Sequence, residues 1–176
     1  MKEELDKSGK IQRMCDLSYV GGMLESLQDL PRGRRVMAWY AFQCNHPEQV
    51  PDSDLATYAK EYNRALERQV YEVDKEQREI WEEVKDIDPD LLSHLNTLYC
   101  SLGYSETFKD ALERFLFLLQ GAFIDMGADR QELTRGFALS IFSNIERQLN
   151  DYDTLIKDLR KDAEIKLKKA LGAVNE

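Results

Sequence analysis

Arg32, Arg34 and Arg35 fall within four positions, just ahead of an apolar run that contains Trp39, Tyr40 and Phe42. Guanidinium forks beside the free amides of a helix start suit a phosphate or a carboxylate. Arginine next to large aromatic residues is also the composition of a protein-binding hot spot. Glu25 and Asp29, on the preceding segment, offer a third option as internal ionic partners. The amide end of a helix disfavours cations, so some anion has to balance this cluster. Arg32, Arg34, Arg35, Trp39 and Tyr40 are therefore the candidate site for an anion or a partner.

Other reactive residue types do not assemble into recognisable machinery. Cys44 and His46 stand two apart in a segment with two prolines, with no third group to orient a nucleophile and its base. His94 is remote from both, and neither HExxH nor the ExxH pair of di-iron bundles occurs. Cys15, Cys44 and Cys100 are too widely spaced for a zinc knuckle or a disulfide framework. The run DIDPD from Asp86 begins like a calcium loop, but Leu91 occupies the position that requires glycine and Thr97 the position of the closing glutamate. Phosphate-cradling glycine loops are absent. No catalytic residue, metal site or cofactor is expected.

Charge gives a second candidate surface. The 176 residues carry 24 Lys and Arg against 33 Asp and Glu, a net charge of −9. Such a balance repels nucleic acid and anionic lipid, which disfavours direct nucleic-acid binding. Between positions 72 and 90 there are nine acidic residues and three basic ones, so a local −6 accounts for most of the excess. Glu76, Glu79, Glu83 and Asp86 are the candidate acidic docking surface for a basic protein, against the plainer reading of a solvated helix face.

The elements that hold these residues read as helices throughout. Hydrophobic residues make up 43% of the chain and charged residues 32%, with only 9 Gly and 4 Pro, which suits a globular helical protein. Ile11, Met14, Leu17, Val20, Leu24 and Leu27 recur at helical spacing, while Gly21 and Gly22 mark a kink or a close backbone approach. A second helix is expected over 34–44, and a loop over 45–54. A long helix is then predicted over about 54–87, with Ala59, Leu66, Val73, Ile80 and Ile87 seven apart. Asp88 and Pro89 open a short helix that Gly103 should stop, and Ser105 should cap the next. The stretch 108–123 is apolar around most of its circumference and is expected to be the central, most buried helix. A last long helix over about 129–171 carries Ala138, Ile145, Tyr152 and Leu159 at sevens, interleaved with Phe142, Leu149, Ile156, Ala163 and Ala170.

The expectation is thus an all-α multi-helix bundle, one domain over 1–176, with the part from about 150 onward able to project as a helical arm. No apolar segment is long enough to span a bilayer, and the reduced-looking cysteines fit a cytoplasmic location. The favoured function is a non-enzymatic adaptor, inhibitor or regulatory subunit that binds a protein partner through helix surfaces, with homodimerisation through the long helices as one form of it. The rival is an α-helical enzyme or ligand-binding domain that grips an anionic small molecule with Arg32, Arg34 and Arg35.

Overall fold

The computed structural model describes residues 6–29 and 55–174. Four helices and no strands occur among them: α1 (Lys7–Asp29), α2 (Leu55–Val84), α3 (Pro89–Ile124) and α4 (Ala128–Val174). The chain is an all-α bundle. None of the described helices is long and apolar enough to cross a membrane.

Helix starts and turns follow from local chemistry. Asp6 opens α1 by accepting the Gly9 amide at 2.7 Å. Asp88 caps α3, its Oδ1 accepting the Leu91 amide at 3.0 Å, with Pro89 in the first turn where its missing N–H costs nothing. At the far end of α3 the side chain of Gln131, already on α4, donates to the carbonyls of Phe123, Ile124 and Met126 at 2.8–3.1 Å. The two hydrogens of this amide, shared among the three carbonyls, serve acceptors at the helix end and tie α4 back to α3.

α1 is the hub. It packs against α2, α3 and α4, while α3 and α4 pack against each other. It runs parallel to α3, since Ser18 meets Asn96 and Gly22 meets Cys100 and Tyr104. It runs antiparallel to α2, since Arg13 meets Glu76 and Gly21 faces Val73. The main core joins Ile11, Met14, Cys15 and Leu17 of α1 to Leu91, Leu92 and Leu95 of α3, with Ile80 and Val84 of α2. Toward the end of α4, Ala163 and Ala170 are 1% exposed, and Leu167, Leu171 and Val174 pack against that core. The carboxyl-terminal part of α4 therefore lies along the body of the bundle.

Two sequence expectations change here. Gly103 does not stop a helix, and Ser105 does not cap one, because α3 is continuous over 36 residues. Gly103 instead makes room for α1: a Cβ there would lie 2.0 Å from the Tyr19 carbonyl oxygen. A Cβ at Gly22 would lie 1.9 Å from the Cys100 carbonyl oxygen. The two glycines sit reciprocally at one crossing, where each helix backbone rests on the other. Nor is 108–123 the most buried helix, for there only Leu116 is buried. The cause is the length of α1, which ends at Asp29, about level with Asp110 from the crossing register. Beyond that point α3 has α4 as its described neighbour, and one neighbour cannot cover a helix that is apolar all round.

Candidate functional site

The arginine cluster with Trp39 and Tyr40, and the Cys44–His46 pair, lie outside the described residues. The described part of that candidate is Glu25, which is exposed and accepts the Cys100 thiol at 3.7 Å. Burial, reinforced by the Glu25 charge, pushes the Cys100 thiol up to about 11, and burial pushes Cys15 up to about 12. Both sulfurs are held as thiols at neutral pH, the reverse of what a nucleophile needs.

The four acidic candidates divide by helix face. Glu76 receives a bidentate guanidinium from Arg13, at 2.8 and 3.1 Å, and Glu83 pairs with Lys10. Both carboxylates are spaced seven apart on α2 and turned toward α1, where they help fix its register. Glu79 and Asp86 point outward, with Glu72, Asp74, Glu82 and Asp90 also exposed. Glu82 pairs with Lys85 on its own helix. Nothing local in the sequence ties Lys10 and Arg13 of α1 to the carboxylates of α2.

An open cleft of about 440 Å³ lies where α1, α3 and α4 meet, lined by Tyr19, Glu106, Lys109, Asp153, Lys157 and Arg160. Its charges are largely used internally. Arg160 donates twice to Glu106, at 2.8 and 2.5 Å, and the Tyr19 hydroxyl donates to the same carboxylate at 2.5 Å. Lys109 bridges Glu113 at 2.9 Å and Asp153 at 3.1 Å. Burial and the Glu106 carboxylate raise Tyr19 to about 12, so it stays protonated and donates. Such an arrangement ties three helices together and leaves no poised acid or base. Among the described residues, no group of three or more His, Cys, Asp or Glu could hold a metal ion.

The bundle also exposes large apolar side chains. Phe115 is 43% exposed, Phe117 75%, Ile124 71%, Leu133 86%, Phe137 72% and Leu155 44%. They belong to the α3–α4 hairpin, and they fall on two sides of it. Gly103, Asp110, Phe117 and Ile124 stand seven apart, so the last two continue the face that α1 covers. Phe115 is turned about 180° from Glu106 and about 120° from Gly103. On α4, Leu133 and Phe137 are about 180° and 140° from Arg160. Phe115, Leu133 and Phe137 therefore share the side of the hairpin remote from α1. The signal for this surface was present in the sequence as the all-round apolarity of 108–123, which is as compatible with an outer docking face as with a buried helix. The chain has no significant match to any protein-family model, curated sequence or solved structure.

Proposed function

We propose that this chain is a non-enzymatic helical interaction protein, an adaptor, inhibitor or regulatory subunit of the cytoplasm, that binds a protein partner through helix surfaces. The observation that supports it most is the hairpin apolar surface, where Leu133, Phe137, Phe117 and Ile124 each leave more than two-thirds of their area in water. Single exposed apolar residues are ordinary, but several large ones gathered on one supersecondary unit mark an interaction site. The outward carboxylates of α2, Glu79 and Asp86 among them, add an acidic rim that would steer a basic surface toward the bundle.

The test compares baits of equal fold. Leu133→Glu/Phe137→Glu alters side chains already exposed, and Glu79→Gln/Asp86→Gln removes outward charge without touching the Arg13–Glu76 and Lys10–Glu83 pairs. Quantitative capture from native lysate should show a protein retained by the wild type and reduced at least about tenfold with the hairpin variant, a loss of about 1.4 kcal/mol. A partner set identical for all three baits would refute the surface assignment.

A further inference from the structure

We infer that the α1 side of the hairpin, the line of Phe117, Gly121 and Ile124 on α3, is a docking face for the chain's own residues 30–54. The occupant belongs to the same polypeptide, so this docking is separate from the partner proposed above, to which it leaves the side of Leu133 and Phe137.

This face is the continuation of a covered one. α1 rests on α3 at Gly103 and ends at Asp29, about level with Asp110. Beyond that level Phe117 is 75% exposed and Ile124 71%, and a Cβ added at Gly121 would meet nothing within 4 Å. α2 reaches further than α1. Lys10 pairs with Glu83, Arg13 with Glu76, and Gly21 faces Val73, an antiparallel register that carries the start of α2 at Leu55 roughly 10 Å past the end of α1, about level with Phe117. A chain that leaves α1 at Asp29 and returns at Leu55 therefore has both fixed ends beside this face.

Attachment selects the occupant. The strip from Asp110 to Ile124 is about 20 Å long, whereas the 25 residues of 30–54 can span up to about 80 Å, so chain length does not keep them from it. Covalent attachment at both ends holds the segment near the face at an effective concentration of about a millimolar. A second copy or a separate protein at micromolar concentration competes at a disadvantage of about a thousandfold. The side that carries Phe115, Leu133 and Phe137 is turned away from α1 and gives the segment no such advantage.

Composition matches in order as well as in kind. From Val36 to Pro47 there is no Asp, Glu, Lys or Arg, and the run includes Met37, Trp39, Tyr40 and Phe42. Arg32, Arg34 and Arg35 come three to six positions after Asp29, and Val36 follows Asp29 by seven, as Phe117 follows Asp110 by seven. Because α1 runs parallel to α3, the arginines meet the face at its Asp110 end and the apolar run meets it at Phe117 and Ile124. Asp110 is exposed and makes no ion pair among the described residues, and Glu25 is exposed near the end of α1. Arg114 shares the line and Asp125 borders it, so two carboxylates and one guanidinium face a cluster of three arginines. The anion that balances this cluster is thereby supplied by the bundle itself.

Tryptophan quenching tests the docking. The chain has two tryptophans, so Trp81→Phe, at a half-buried position on the edge of the core, leaves Trp39 as the reporter. In the purified full chain with Trp81→Phe, acrylamide should quench Trp39 at least about threefold less than in concentrated urea, because a docked indole is shielded. Phe117→Glu/Ile124→Glu, which alters exposed side chains, should raise quenching toward the urea value with helical circular dichroism retained. The milder Phe117→Ala/Ile124→Ala should move it the same way, and Leu133→Glu/Phe137→Glu should leave Trp39 shielded. A Trp39 as accessible as in urea overturns the docking, and so does shielding unchanged in both Phe117/Ile124 variants. Shielding lost on dilution from about 100 to about 1 µM would make the occupant a second copy and overturn it too, since attachment within one chain is independent of concentration. The comparative capture reads the other side of the hairpin, so either result can fail while the other stands.

Discussion

Gly21 and Gly22 are neighbours in one helix, with the same intrinsic propensity, and the structure gives their replacement by alanine opposite signs. At Gly22 a methyl group would stand 1.9 Å from the Cys100 carbonyl oxygen, 2.7 Å from its carbon and 2.9 Å from the Tyr104 amide nitrogen. Ordinary van der Waals separation is about 3.5 Å, so the α1 and α3 axes would have to part by roughly 1.5 Å. No rotamer change relieves the clash, because the obstacle is backbone on both sides. A gap of ~1 Å already forfeits up to half of the dispersion well of each contact along the crossing. Overpacking of this kind costs about 1–3 kcal/mol, and displacing a whole helix belongs at the upper end or above it. Alanine returns about 1 kcal/mol of helix propensity, which leaves a net loss of about 2 kcal/mol or more for Gly22→Ala. At Gly21 the added methyl would meet only Val73 Cγ1, at 3.8 Å, an ordinary contact. Gly21→Ala should therefore gain about 1 kcal/mol from propensity alone. The expected gap of ~3 kcal/mol corresponds to roughly 6–12 °C in Tm for a chain of this size. Urea and thermal unfolding followed by far-UV circular dichroism, at one fixed protein concentration, would read it. Gly22→Ala/Gly103→Ala supplies a second check. One outward shift of α1 relieves both clashes, so the double variant should lose clearly less than the sum of the single losses. Equal stability of Gly21→Ala and Gly22→Ala, or strict additivity of the pair, would refute the backbone-contact reasoning.

Two buried serines of α1 should also part in sign. Ser18 is 2% exposed, donates to the Met14 carbonyl at 2.7 Å or to Asn96, and accepts from Gln77 at 3.0 Å, so Ser18→Ala should cost about 1–2 kcal/mol. Ser26 is 0% exposed and its hydroxyl has no hydrogen-bond partner among the described residues, so Ser26→Ala should be neutral or stabilising by up to about 1 kcal/mol in the same unfolding assay. Alkaline pH should weaken the fold through Cys15. Its unfolded thiol ionises near 9.0, whereas burial holds the folded thiol to about 12. The folded state thus retains a proton that the unfolded state has released, and stability falls as pH rises from about 9 toward 12, by up to ~1.4 kcal/mol per pH unit from this group. Cys15→Ala should flatten that part of the profile of unfolding free energy against pH; an unchanged slope would show that the thiol is not the source.

Among the described residues, helix existence and most helix ends were legible because each rested on a local rule, while the helix expected over 34–44 lies outside them. Asp88 with Pro89 opened α3 as expected, and the seam through Ile145, Ile156, Ala163 and Ala170 kept phase across Asn150, so α4 runs unbroken for 47 residues. What was not legible was the identity of the central helix, and small residues are the reason. α1 buries Cys15, Ser18, Gly22 and Ser26 as well as Ile11, Met14 and Leu17, which extends its covered surface well round the cylinder. Serine and glycine carry no hydrophobic signal, so a helix that packs closely by lacking side chains looks weakly amphipathic on paper. Gly103 misled in the same way. A glycine inside a helix reads as a stop when only propensity is weighed, whereas a tertiary backbone contact can select it at a cost of about 1 kcal/mol. Conversely, the phenylalanines and leucines of 108–123 suggested a centre because apolarity reports the wish to leave water and not the direction of the cover. In this bundle α1 stops a little beyond the crossing, which leaves Phe117 and Ile124 exposed on its own side, and Phe115, Leu133 and Phe137 on the other side are exposed as well. That difference between apolar and buried is what the capture experiment with Leu133→Glu/Phe137→Glu puts to the test.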